Sequence, residues 1–266
     1  MTSIITSVRN PRILELARLR RGGRVADAPV LIDGRREIDR AARAGWTLEE
    51  LFVCPGLLDE ADRAWAARSD LPVRQRIEVS QPVLERIAFG DRADGLVATA
   101  RRPARELASL TLSATPLIAV VQGLEKPGNL GAILRSAAAA GVEAVIVSDA
   151  RTDVYHSSVI RASTGAVFSV PIVETDGEAA RQWLAQRRIS IIAARPDGAD
   201  EYTCVNYRGA TAFVLGAEAE GLAEDWRNAA IQPVRIPMQG AVDSLNVSVT
   251  AALLFYEARR QRTAGH

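Results

Sequence analysis

Three stretches in the second half of the chain carry polar residues of types that could meet a bound molecule. In residues 123–142 (GLEKPGNLGAILRSAAAAGV), Asn129 stands where a helix N-cap belongs, and Arg135 follows within the helix among apolar neighbours. In residues 212–222 (AFVLGAEAEGL), an apolar run ends on Gly216 and gives way to Glu218, Glu220 and Gly221. The glycines there would let a ligand approach the backbone closely, and Glu218 is either a functional carboxylate or part of a polar loop. In residues 234–262 (VRIPMQGAVDSLNVSVTAALLFYEARRQR), Ser244 and Asn246 open a helix, a position that simple capping also explains. The groups on offer are a permanent cation, a carboxylate and short hydrogen-bonding side chains set among glycines. Arg135 by itself reads equally well as an ordinary exposed arginine. No GK[ST] follows the glycines, which excludes a P-loop, and GxGxxG is absent, which excludes the dinucleotide fingerprint. The histidines are only His156 and His266, and Cys54 and Cys204 are far apart, so no metal site is expected; His156 reads as a surface or structural residue rather than a base.

Those residues need elements to hold them. Apolar runs predict strands at 117–122, 144–148, 169–173, 190–194, 212–216 and 233–236, and helical spacing predicts helices at 130–140, 157–163, 177–186 and 245–262. Strands alternating with helices give a mostly parallel sheet covered on both faces, in which ligands sit beyond the carboxyl ends of the strands. All three stretches fall at such ends. In the first helix Leu130, Ile133, Leu134, Ala137 and Ala138 would face the sheet; in the last, Val249, Leu253, Leu254 and Tyr256 would enter a core. The last helix ends in Arg259, Arg260 and Arg262, which suits the negative end of its dipole.

The front of the chain reads as a separate, smaller α/β domain. Helices are expected at 12–21, 35–44, 61–67 and 82–88, with strands at 29–32, 51–54 and 73–79. Asp33-Gly34 makes a turn, and Gly45 ends a helix. Residues 90–105 (GDRADGLVATARRPAR) break the pattern. We therefore expect a domain over 1–105, a linker over 106–115 and a second domain over 116–266. Residues 1–105 hold 19 basic and 15 acidic side chains against 14 and 17 in the remainder. The basic front, with Arg9, Arg12, Arg18, Arg20, Arg21 and Arg24 ahead of residue 25, is either a phosphate-binding surface or a solvated helix face. Lys126 is the only lysine among 33 basic residues, so arginine abundance alone is no evidence of recognition. The chain lacks the run of about 20 apolar residues that a membrane helix needs, and its start lacks a secretory core, so a cytoplasmic protein with no membrane partner is expected.

Taken together and in order, the three stretches resemble the three motifs of the SPOUT methyltransferase superfamily, in its TrmH/SpoU branch of RNA 2′-O-ribose methyltransferases. The matching residues are Asn129-Leu130-Gly131-Ala132 with Arg135, then Leu215-Gly216 with Glu218 and Gly221, then Ile236-Pro237-Met238 with Ser244-Leu245-Asn246-Val247-Ser248. The likeness covers roughly residues 116–262. Asn10-Pro11 and the 31–38 segment (LIDGRREI) resemble, less specifically, the substrate-binding domain common in this branch.

The resemblance implies a deep trefoil knot in the C-terminal part of the sheet, a feature that no composition or spacing could reveal. It implies a homodimer and S-adenosylmethionine as methyl donor, held by backbone around Leu215, Gly216, Ile236, Met238 and Leu245. It names Arg135 as catalytic, with Asn129, Glu218, Ser244 and Asn246 shaping the site. Because a guanidinium loses its proton only above about pH 12, we expect Arg135 to grip the phosphate beside the target ribose rather than act as a base. Structured RNA would be engaged by the front domain, including the arginines at its end, with Arg9, Arg20, Arg21, Arg101 and Arg102 as contacts. The layout looks more like enzymes of ribosomal RNA, 23S in particular, than of transfer RNA. Two further readings stay open: a transfer-RNA 2′-O-methyltransferase, and a non-catalytic RNA-binding or ribosome-assembly factor on the same fold.

Overall fold

The computed structural model describes residues 4–20, 28–90, 94–217, 220–228, 230–240 and 243–263. In chain order the elements are α1 (Pro11–Arg20), β1 (Val30–Asp33), α2 (Arg35–Arg43), β2 (Leu48–Val53), α3 (Glu60–Ala66), β3 (Val73–Glu78), α4 (Gln81–Ile87), β4 (Leu96–Ala100), β5 (Leu117–Gln122), α5 (Pro127–Ala140), β6 (Ala144–Ser148), α6 (Ser157–Ala162), β7 (Ile172–Thr175), α7 (Gly177–Gln186), β8 (Ser190–Ala194), β9 (Asp200–Glu201), β10 (Thr211–Leu215), β11 (Ile231–Arg235) and α8 (Val247–Thr263). They divide into two units. One is Met1–Pro103 with Tyr155–Ser169; the other is Ala104–Val154 with Val170–His266.

The first unit has a four-stranded sheet in the order β1-β4-β2-β3, in which only the β2–β3 pair is parallel. Sequence reading missed β4, which sits inside the sheet and is buried along its whole length. A strand of five residues covered on both faces shows no alternation, and here it stands between a glycine and arginines, so it read as a break. One face of the sheet builds a core from Ile13, Phe52, Val83, Leu84 and Val97. Residues 155–169, expected to belong with the second domain, group with the first instead. Trp46 stands edge-on to Tyr155 and Phe168, with ring centroids 5.3 and 5.0 Å away, and its Nε1 donates to the Phe168 carbonyl. Gly165 lies so close to Arg40 that a Cβ would meet its Cδ at 2.9 Å.

The second unit carries a parallel seven-stranded sheet in the order β7-β6-β5-β10-β8-β11-β9. β5, β6 and β10 are almost wholly buried, as expected of strands covered on both faces. Its core joins Ile118, Val120, Ile146, Leu184, Val214 and Trp226, and Leu110 from the expected linker belongs to it. α5 buries Leu130, Ile133, Leu134 and Ala137 and ends on Gly141 in the left-handed region (φ 79°), a conformation that favours glycine. α8 buries Ala251, Leu254, Phe255 and Ala258. The expectation that Val249, Leu253 and Tyr256 enter the core does not hold: they are 46%, 36% and 50% exposed. Their spacing places them on one side of α8, away from the stripe that carries Leu254 and Phe255.

β11 lies between β8 and β9, which are consecutive in the chain, so the connection between those two strands must pass across β11. The packing there is close. A Cβ on Gly198 would meet the Val234 carbonyl carbon at 2.5 Å, and the Arg195 backbone N–H donates to the Val234 carbonyl.

Candidate active site

The carboxyl ends of β8, β10 and β11 open onto a cavity of about 820 Å³, closed on another side by the start of α8. Its walls include Leu215 and Gly216 after β10, Ile236 and Met238 after β11, and Ser244, Leu245 and Asn246 before α8. The loop after β10 folds back tightly on the strand end because glycines permit it. A Cβ on Gly216 would stand 2.3 Å from the Gly221 carbonyl oxygen, so the returning loop could not close over any larger residue. Gly221 itself sits at φ 68°, and its N–H donates to the Ala217 carbonyl at 2.8 Å.

At the mouth, Asn246 links two helices. Its Oδ1 accepts the Ser248 backbone N–H at 2.8 Å, which caps α8, and its Nδ2 donates to Asn129 Oδ1 at 3.2 Å. Asn129 is therefore not the cap of α5, as its sequence position suggested. That helix begins one residue after Lys126, with Pro127 in its first turn, where the missing N–H costs nothing. The Asn129 N–H bonds to the Lys126 carbonyl, and its side chain turns to α8.

Arg135 is exposed on α5 and takes no part in the cavity wall. Glu218 and Arg21 lie outside the described residues. Of the other arginines expected to meet RNA, Arg9 and Arg101 are exposed. Arg20 instead donates to the carbonyls of Glu85 and Arg86 at the end of α4, and the Arg102 guanidinium lies over the Tyr155 ring, 5.1 Å from its centroid.

Lys126, Arg195, Glu201, Asp243 and Thr250 also border the cavity and were not singled out from sequence. Arg195 at the end of β8 could have been found by the strand-end rule; the others lacked any distinguishing pattern. Arg195 is bidentate to Asp197, at 2.9 and 2.6 Å, and this pairing holds the Asp197 carboxyl below its ordinary range. Apolar side chains and a glycine at strand ends, with loop N–H and carbonyl groups at their edges and short polar groups at the mouth, suit a flat heterocycle carrying a polar tail. The residues present thus fit S-adenosylmethionine.

Residues 116–256 match the SpoU rRNA Methylase family, and residues 10–98 match the MRM3-like substrate binding domain. The chain is 32% identical over 245 residues to a 23S rRNA (guanosine-2′-O-)-methyltransferase, RlmB, of Bordetella pertussis, covering 90% of this chain and 99% of that one. Among solved structures it resembles an RNA 2′-O ribose methyltransferase at 45% identity with a TM-score of 0.81, over 98% of this chain and 100% of that one. It also resembles the SpoU methyltransferase AviRb from Streptomyces viridochromogenes in complex with AdoMet, at 27% identity and TM-score 0.84, over 97% and 100% of the two chains.

Proposed function

The chain belongs to the SpoU rRNA methylase family, and from that premise we propose that it methylates a ribose 2′-hydroxyl of 23S ribosomal RNA, using S-adenosylmethionine, in the cytoplasm. The observation that carries this reading is the cavity whose wall brings Leu215 and Gly216 of one stretch together with Ile236, Met238 and Leu245 of another and Lys126 of the first.

S-adenosylmethionine supplies a methyl group already activated on a sulfonium. Leu215, Ile236, Met238 and Leu245 would exclude water around the adenine, and backbone near Gly216 would satisfy its edge. Ser244 and Asn246 face the mouth, and the Asn246–Asn129 bond ties the start of α8 to the first turn of α5. α5 carries Arg135 outward, where its guanidinium clasps the phosphate beside the target ribose, orients the hydroxyl and offsets the negative charge that grows as the oxygen attacks. Exposed arginines of the front unit, Arg9 and Arg101 among them, hold the RNA through its phosphates. The exposed stripe of Val249, Leu253 and Tyr256 on α8 supports a homodimer through that helix. The insertion of β11 between β8 and β9 supports a trefoil knot formed there.

The test is transfer of labelled methyl from S-adenosylmethionine to ribosomal and transfer RNA purified from a deletion strain, followed by mapping of the product. We expect label at one 2′-oxygen of 23S RNA, and none on RNA from the parent strain. Label on transfer RNA alone would replace the substrate. A protein that bound the cofactor and both RNAs without transfer would be an RNA-binding factor instead.

A further inference from the structure

Two of the cavity's walls are loops, and both are held from outside by one side chain. Arg151 follows β6 and does not touch the cavity. Its Nη1 donates to Glu125 Oε1 at 2.7 Å, and Nη1 and Nη2 donate to the two carboxylate oxygens of Glu220 at 3.1 and 2.7 Å. Glu125 immediately precedes Lys126, and Glu220 immediately precedes Gly221; Lys126 and Gly221 both line the cavity. The fork therefore fixes two residues, each one peptide bond away from a wall.

A second strap lies beside it. Gln122, the last residue of β5, accepts the Ala223 backbone N–H at 2.9 Å through Oε1 and donates to Asp149 Oδ2 at 3.2 Å through Nε2. Ala223 follows Leu222, another wall residue. The returning loop is thus held at residue 220 by Arg151 and at residue 223 by Gln122. Between those two holds, Gly221 passes so close over Gly216 that a Cβ there would meet its carbonyl oxygen at 2.3 Å.

We propose that Arg151 is a positioning residue for methyl transfer: it clasps the β5–α5 loop to the loop after β10 and so sets the width of the donor cavity. This rests on reading that cavity as the S-adenosylmethionine site. The three partners are solvent-exposed, with 45% to 65% of each side chain accessible, so the clasp is electrostatically screened and yields to salt. Its bidentate, three-member geometry separates it from an isolated surface pair.

The experiment compares S-adenosylmethionine affinity by calorimetry, together with kcat and KM for the donor, in wild type, Arg151→Ala, Arg151→Lys, Arg151→Glu and the reversed pair Arg151→Glu/Glu220→Arg, at low and high salt. Thermal unfolding of each variant reports whether the fold is intact. Arg151→Ala should weaken donor binding and raise its KM by about fivefold at low salt, with kcat within about twofold, which is the scale of an exposed networked pair. Arg151→Lys should recover part of the loss, Arg151→Glu should lose more, and adding Glu220→Arg should restore the share carried by Glu220, while Glu125 still faces the substituted carboxylate. High salt should bring wild type toward Arg151→Ala. Equal donor affinity in folded wild type and Arg151→Ala at low salt, or no recovery in the reversed pair, would overturn the clasp. Wild type that failed to bind the donor at all would overturn the cavity assignment and the clasp with it.

Discussion

Both units commit many arginines to structure, in the second Arg151, Arg181, Arg195 and Arg260 among them, and they differ in how the remaining arginines can be used. In the first, Arg12 pairs with Glu50, Arg35 with Asp62, Arg36 with Glu37, Arg43 with Asp39 and Arg74 with Glu49, while Arg76 bonds the carbonyls of Ala66 and Arg68. In the second, the arginine assigned to chemistry, Arg135, is exposed and makes no ion pair with any described residue. A surplus of basic residues counted from sequence therefore overstates the open cationic surface of the front unit. A guanidinium already facing a carboxylate gives little to an incoming phosphate, whereas one without such a partner keeps its full field.

The comparison can be broken most sharply at Arg135. Arg135→Ala should cut turnover by at least about a hundredfold, with donor binding unchanged by calorimetry. Arg135→Lys keeps the charge and loses the fork, so activity close to wild type in that variant would count against a bidentate phosphate grip. Next comes Gly216→Ala. Its Cβ would collide with the Gly221 carbonyl, so either the returning loop lifts or the strand end shifts. We expect donor binding to fall more than tenfold and stability to drop by about 1–3 kcal/mol, read by calorimetry and by denaturant midpoint.

A smaller effect separates open from committed arginines in the front unit. Arg9→Ala with Arg101→Ala should weaken RNA binding severalfold and flatten the slope of log affinity against log salt by roughly 1.5, with the melting temperature unchanged. Arg20→Ala should do the reverse, because its guanidinium closes the end of α4. Equal salt slopes for both variants would erase the distinction.

The smallest effect concerns Asp33, whose carboxyl is pushed up to about 6, first by burial and against the bond it accepts from the Phe89 N–H. Its folded value lies above its unfolded one, so the unit is favoured while Asp33 stays protonated and loses stability as pH rises from about 4 through 6. Asp33→Asn should therefore raise the melting temperature at pH 7.5, by the equivalent of about 1–2 kcal/mol, and change little near pH 4. A stabilisation that was the same at both values would contradict the burial.

Much of the second unit was legible because its signals are local. Five-residue apolar runs specify the parallel strands, and glycines mark where chain crosses chain. The strand-end rule then brings three polar stretches to one edge of the sheet. The illegible parts depend on tertiary context. β4 shows no period because both its faces are covered. Asn129 occupies a position that capping statistics favour, yet the helix starts two residues earlier and the side chain is turned to Asn246. Val249, Leu253 and Tyr256 follow helical spacing, which reports a face but not whether that face meets this chain or another. The excursion of residues 155–169 into the first unit was likewise invisible, since Trp46, which packs on Tyr155 and Phe168, lies more than a hundred residues away. For that reason a clean removal of residues 1–103 would strip Tyr155 and Phe168 of Trp46, and point substitutions separate RNA binding from folding better than truncation does.

On this reading, loops after β10 and β11 and the start of α8 seat the methyl donor. A crystal structure with S-adenosylhomocysteine tests it directly. The ligand's adenine should lie against Leu215, Ile236, Met238 and Leu245, with its tail toward Ser244 and Asn246; ligand density only at another place on the chain would overturn the assignment.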